Sequence, residues 1–465
     1  MAPLAREFDP AVFWDVVCQV SRESIGKGGV RASDIVAVST ASQRQGVVFL
    51  DKDGAELYGG PNTDLRALME GFAIDAERGA EVRCITGHSP AFLFAPAKLR
   101  WFKANRPAVY ERIATILTIS NWIVYRLSGR RVAELSSDSD TGLVDISRSC
   151  WSVDLQNALD LAQGVCPEMA AAGTGVGSVS TKVAEQTGLA PGTLVVVGGA
   201  DTQCGLLGMS VWREGQVGIV AGWSAAIQMV TDRPIIDPSG KIWSSCHVLP
   251  GKWVLESNAA EAGGAYGWLS QLLFEGADSK EDTFALMDRL AGEASAGSGG
   301  ALAFIGPRAM DMTHLKPAIG GFFFPITPSV TEMGRKDIIR SALENMSFAF
   351  RANCQQLEEK SGLKVKSVSI GGGMARSRTL RQILADVLAM PVACYEMAEV
   401  TSCGSAMCAA VGAGVHGDLV EAANAMGPRP DMVTPGERGV QEYAKYFERW
   451  EKVSKWLDSL GEEMI

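Results

Sequence analysis

The clearest chemistry in this sequence is a carboxylate placed to take a proton from a hydroxyl. Asp201 follows Leu194-Val-Val-Val197 and the pair Gly198-Gly199, and is itself followed by Thr202 and Gln203. The four apolar, mostly β-branched residues predict a buried strand. The two glycines predict that the strand ends there in a tight turn. Asp201 then stands just past a strand's carboxyl end, where open α/β sheets bind their ligands. Two readings are open for it. It is a general base toward a substrate hydroxyl, or it caps the helix that follows.

Glycine-rich turns after strands are the second chemical signal. Val365-Lys-Ser-Val-Ser-Ile370 runs into Gly371-Gly-Gly373 and then a helical pattern. Gln216 to Ala221 runs into Gly222-Trp-Ser224. Such turns let backbone N–H groups approach phosphate, and a following helix adds its positive end. The chain has no Gly-x-x-x-x-Gly-Lys-[Ser/Thr], so it is not a P-loop protein. Gly412-x-Gly414-x-x-Gly417 follows an Ala-rich helix rather than a strand, and reads as a helix-ending turn.

These groups need elements to hold them. Asp9-Pro10 opens a helix whose apolar face is Val12, Phe13, Val16, Val17 and Val20. Ile35 to Ser39 and Val47 to Leu50 read as hairpin-paired strands, and Asp51-Lys-Asp-Gly54 as a hairpin turn. Asn62 to Arg66 opens a helix. Ala97 to Asn105 and Arg112 to Leu127 read as amphipathic helices, with Trp101 and Trp122 packed in the core. Ala171 to Ser180 reads as a Gly-rich connector, and Gly292 to Gly300 as a flexible loop. Ala262-Gly-Gly264, Asp337 to Glu359 and Arg376 to Met390 begin or span further helices. The last, Val440 to Leu460, is amphipathic, which fits covering a core or pairing subunits.

Length and composition bound the rest. At 465 residues, with 47% apolar and 21% charged residues, the chain predicts two or three globular domains. A net charge of −10 argues against nucleic acid or an anionic membrane as partner. The ten cysteines are scattered without a Cys-x-x-Cys pair, and there are four histidines. A zinc site is not expected, and the thiols are expected to stay reduced. No signal peptide or membrane span is recognised, so the expected location is the cytoplasm.

Taken together, several short motifs resemble the FGGY carbohydrate kinases, the family that includes xylulokinase, glycerol kinase and autoinducer-2 kinase. Gly198-Gly-Ala-Asp-Thr-Gln203 is similar to the catalytic loop, and Ser369-Ile-Gly-Gly-Gly-Met-Ala-Arg-Ser377 to the adenosine loop. Gln43-Arg-Gln-Gly46, Asn62-Thr-Asp-Leu-Arg66, Lys98-Leu-Arg-Trp101 and Thr141-Gly-Leu-Val-Asp145 resemble sugar-side elements. They occur in the family's order and cover nearly the whole chain.

The resemblance implies an α/β fold of two actin-like, ribonuclease-H-like domains, each a mixed sheet flanked by helices. They would span 1–207 and 208–465, with ATP and a sugar meeting in a cleft. It implies ATP-dependent, Mg²⁺-dependent phosphorylation of a sugar or polyol hydroxyl. Asp201 would be the base. Arg44, Gln45, Asp64 and Thr202 would contact hydroxyls. Gly222 and Ser224 would lie near the γ-phosphate, Gly263 near the phosphate chain, and Gly372, Gly373 and Arg376 at the adenosine. A homodimer is compatible.

Three departures stand out. The family's opening Asp-x-Gly-Thr hairpin has no counterpart before Asp9-Pro10. Its loss would leave an uncovered edge at Ile35–Ser39 or Val47–Leu50, and the alternative expectation is a catalytically impaired homologue. Trp223 replaces a threonine, and Asn62 and Arg44-Gln45 replace a tryptophan and a Met-His pair.

Overall fold

The computed structural model describes residues 4–275, 280–314, 318–325, 333–396 and 399–464. They form two compact units, one of residues 1–212, 231–254 and 401–427, the other of 213–230, 255–400 and 428–465. The mixed α/β architecture expected from the motifs is present in both.

In the first unit the strand Leu194–Ala200 is central to its sheet. It pairs in parallel with Ala37–Ser42 and antiparallel with Gly175–Ser178. The predicted connector 171–180 therefore contains a strand. The strand also runs through Gly198 and Gly199 instead of ending at them. Both glycines exist for close approach: a Cβ on Gly198 would lie 1.9 Å from the Thr40 carbonyl oxygen, and one on Gly199 would lie 2.5 Å from Val248. The partner strand is irregular at this point, its register shifting between Ser39 and Ala41.

Val47–Leu50 is fully buried between Glu56–Gly60 and Thr115–Thr118. The turn at Gly54, with φ 89°, makes the first of these pairings a hairpin, as expected. The expected pairing of this strand with 35–39 does not form. Ala37–Ser42 instead lies at the edge of its own sheet among the described residues, while Val47–Leu50 is central. The expected helix 112–127 divides into the strand Thr115–Thr118 and the helix Ile119–Ser128. Thr115, Ile116 and Thr118 are β-branched, and pairing with Val47–Leu50 decides their conformation. Residues 62–66 form turns, and a helix starts only at Leu68.

The first helix, Pro10–Gly28, is capped as its sequence predicts, with the Asp9 carboxylate accepting the Ala11 N–H at 2.8 Å. The helix Val400–Gly412 packs on the centre of this unit through its glycines. A Cβ on Gly404 would lie 1.9 Å from the Cys204 carbonyl oxygen, and one on Gly412 would lie 2.5 Å from Val196. It ends in the turn expected at 412–417, with Gly414 at φ 74°.

The second unit is built on parallel strands Gln216–Ala221, Ser367–Gly371 and Val392–Cys394. Antiparallel neighbours Ala225–Thr231 and Asp431–Val433 flank them. The helix Arg335–Ser361 buries one long face. Its Phe348 meets Tyr443, Phe447 and Trp450 of the C-terminal helix Glu437–Met464. That apolar face covers a core. No helix among the described residues is long and apolar enough to cross a membrane.

Candidate active site

Asp201 is the first residue of the helix Asp201–Gly208, directly after the buried strand, and is half-buried. Ala200 holds the N-cap position, and no side chain caps this helix. The Asp201 carboxylate accepts the N–H of Thr202 at 2.8 Å, and its carbonyl accepts the Thr401 hydroxyl at 2.9 Å. The backbone carbonyl is thus tied down, and the residue as a whole is partly exposed. Beside it, the Thr202 hydroxyl donates to Gln203 Oε1 at 2.6 Å.

Arg44 and Gln45 are buried, and they meet residues that the motifs did not single out. Asp140 is fully buried. Its carboxylate lies 3.1 Å from Gln45 Nε2, 3.0 Å from His88 Nε2, 3.3 Å from Ser245 Oγ and 3.6 Å from Arg44 Nη1. Burial works to raise the Asp140 carboxyl, yet Arg44, His88 and Ser245 hold it below the ordinary carboxylate value. His88 Nδ1 faces the Thr86 carbonyl at 2.6 Å, so that nitrogen carries a proton. Phe94 and Trp243 wall the imidazole.

Gln45 has φ 62°, a left-handed conformation that costs a non-glycine residue energy. Lys98 is fully buried and donates to the carbonyls of Gln45 and Leu93 at 3.3 and 3.1 Å. Burial pushes its amine down to about 8. Strain and dense polar bonding are thus concentrated at Arg44-Gln45. His88, Asp140 and Ser245 lie far apart in sequence. The only local hints were Gly87 stopping a helix before His88, and Asp140 preceding Thr141-Gly-Leu-Val-Asp145.

Asp64 departs from its expected role. It is 0% exposed, and its carboxylate is spent on Tyr58, on Arg66 at 2.7 Å and on the Arg6 N–H at 2.9 Å. Arg66 in turn lies over the rings of Tyr58 and Trp101. A carboxylate so enclosed organises the core around Phe102 and Tyr58 and has no surface for a sugar hydroxyl.

In the second unit, Gly222, Ser224, Gly373 and Arg376 are exposed, while Gly372 is buried. Gly372 has φ 92°, and a Cβ there would meet the Ala221 carbonyl at 2.7 Å. Positive φ is therefore needed at Gly372 and not at Gly373. Cβ atoms on Gly222 and Gly373 would meet nothing within 4 Å, so both border open space. Gly263 opens the helix Gly263–Leu273, and its N–H donates to the Gly222 carbonyl at 3.1 Å. A Cβ on Gly263 would lie 2.4 Å from that carbonyl oxygen. Trp223 is 72% exposed. Its indole lies where a Cβ on Gly264 would stand, 2.7 Å away. It also lines a cavity of about 1230 Å³ with Trp268, Phe304 and Phe322. Among the described residues no group of three or more His, Cys, Asp or Glu gathers to hold a metal.

Known proteins resemble this chain over nearly its whole length. The profile of the FGGY family of carbohydrate kinases, N-terminal domain, matches residues 2–208, and that of the C-terminal domain matches 217–413. An autoinducer-2 kinase from Enterobacter sp. (strain 638) is 29% identical over 99% of this chain and 87% of its own. A xylulose kinase from Rhodospirillum rubrum superposes with a TM-score of 0.83 at 25% identity, over 99% of this chain and 92% of its own. A Plasmodium falciparum glycerol kinase solved with ADP shares the fold, with a TM-score of 0.79 at 18% identity over 97% and 91%.

Proposed function

Because this chain belongs to the FGGY family of carbohydrate kinases, we propose that it transfers the γ-phosphoryl group of MgATP to a hydroxyl of a sugar or polyol, with Asp201 as general base. The observation that carries this reading is Asp201 itself. It is a half-buried aspartate at the carboxyl end of a buried strand, its carboxylate accepting the Thr202 N–H and its carbonyl the Thr401 hydroxyl. Phosphoryl transfer asks a protein for positioning and charge stabilisation more than for covalent chemistry.

Arg44 and Gln45 contact sugar hydroxyls in this reading, and Asp140, His88 and Ser245 hold them in place. A site of aimed polar groups discriminates strongly, because an analogue lacking a hydroxyl leaves them unpaired. Thr202 adds a further hydroxyl contact beside the base. Gly222, Ser224 and Gly263 receive the phosphates, and Gly372, Gly373 and Arg376 the adenosine. The open space at Gly222 and Gly373 fits a ligand approaching bare backbone. Mg²⁺ would be held by the nucleotide's phosphates and water, in keeping with its preference for these over an all-protein cage. It supplies charge neutralisation there.

The test is ATP consumption with D-xylulose, glycerol, D-gluconate and autoinducer-2 as acceptors. Asp201→Asn should lower kcat by about 10²–10⁴ with ATP affinity kept. Unchanged kcat would leave Asp201 with a purely structural role.

A further inference from the structure

We propose that Ser136 and Glu134 form a buried positioning pair that fixes the Gly199–Ala200 peptide, immediately before Asp201, and with it the aim of the Asp201 carboxylate. The inference rests on Asp201 being the base. It concerns how that base is held, which neither the motifs nor the relatives' names address.

The geometry is a short chain of bonds. The Ala200 N–H donates to Ser136 Oγ at 3.0 Å. The Ser136 hydroxyl then has its own proton to give, and it donates to Glu134 Oε2 at 2.6 Å. Glu134 also accepts the N–H groups of Ser136 and Ser137, each at 3.0 Å, so its carboxylate caps the short helix Leu135–Asp138. The Glu134 N–H is held by Asp138 Oδ2 at 2.8 Å, and Asn121 donates to that same oxygen at 2.6 Å. Glu134, Ser136 and Asp138 are at most 2% exposed.

Gly199 makes this reach possible. A Cβ there would stand 2.7 Å from Ser136 Oγ, inside contact distance. The second glycine of Gly198-Gly199 therefore admits a hydroxyl to the strand's last amide. An ordered turn this close to the reacting group matters because misplacement by about 1 Å can cost about 10²-fold in rate.

Glu134 is faced by Asp138 on its own turn, by Cys204 in the helix Asp201–Gly208 and by Cys246 in the strand Trp243–Cys246. Burial raises its carboxyl to about 7 against the bonds from Ser136 and Ser137. Protonation of Glu134 would therefore weaken the acceptor to which Ser136 donates.

Ser136→Ala should lower kcat about 10- to 100-fold with the KM for ATP unchanged. It should also speed hydrogen exchange of the Ala200 amide. Ser136→Thr, which keeps the hydroxyl, should restore both. In the wild type kcat should fall as pH drops through about 7, and Glu134→Gln should remove that dependence. Wild-type kcat and unchanged Ala200 exchange in Ser136→Ala would overturn the proposal. If Asp201→Asn is inactive while Ser136→Ala is unaffected, the base stands and the positioning pair falls. If Asp201→Asn keeps full activity, the base reading falls first. Where no acceptor turns over, Ala200 exchange alone decides: acceleration supports the pair, and no change rejects it.

Discussion

In the proposed function, the polar cluster around Asp140 and the glycine turns around Gly222 and Gly372 would recognise ligands by opposite means. At the first, side chains do the work. Asp140, His88 and Ser245 are each at most 1% exposed, and they brace a strained Gln45. At the second, side chains are removed so that backbone can approach. Gly222 and Gly373 border open space, and Gly372 adopts a conformation that side chains resist. Sugars differ by the placement of hydroxyls, so selecting one takes several aimed groups. Phosphate is the same in every nucleotide, and backbone N–H groups suffice for it. The first site should therefore be fragile to any change of charge, and the second fragile only where a side chain cannot fit.

The largest expected effect breaks the charged cluster. Asp140→Asn leaves Arg44 buried beside a neutral amide, which should cost about 3–5 kcal/mol of stability. It should also raise the KM for sugar well above that for ATP. Denaturant unfolding and initial rates check both parts. An equal rise in both KM values would show that the two regions are not separate recognition sites.

A second expectation uses pH. Burial raises the Glu134 carboxyl from its ordinary value of 4.5 to about 7 in the folded chain. Its folded pKa lies above its unfolded value, so the folded state binds the proton more tightly. The stability this provides is full below about pH 4.5 and is lost as pH rises through about 7. The swing is roughly 3 kcal/mol. Glu134→Gln should flatten the stability profile across that window, as measured by urea midpoints. An unchanged slope would mean that Glu134 is not buried with this charge.

The smallest effect sharpens the glycine side. Gly372→Ala forces a Cβ against the Ala221 carbonyl at positive φ and should cost about 1–3 kcal/mol. Gly373→Val meets open space in the ligand-free chain, so its melting temperature should hardly move while ATP affinity falls. Thermal melts with and without ATP separate the two. A stability loss at Gly373 matching that at Gly372 would remove the reason to place nucleotide there.

The glycine side was the more legible in sequence because its signals are local. A strand, three glycines and a helix are contiguous from Ser367 to Leu388. Asp201 was legible for the same reason. His88, Asp140 and Ser245 were not, since no period or spacing links residues that only folding brings together. Asp64 misled because a motif position does not state burial. Thr115–Thr118 misled because its apolar spacing fits a helix, and only pairing with Val47–Leu50 decides otherwise.

The helix Val400–Gly412 gives the first unit a schedule. Residues 401–427 belong to it, although 213–230 and 255–400 belong to the other. Its glycines close over Val196 and Cys204, on the strand and helix that flank Asp201. At ordinary synthesis rates, residue 401 follows residue 254, the end of the unit's preceding segment, by on the order of 7–30 seconds. For that interval a nascent chain holds every other part of the Asp201 loop with one face uncovered. Binding by chaperones during synthesis should concentrate there, and a chain released before residue 427 should expose that face for as long as it survives.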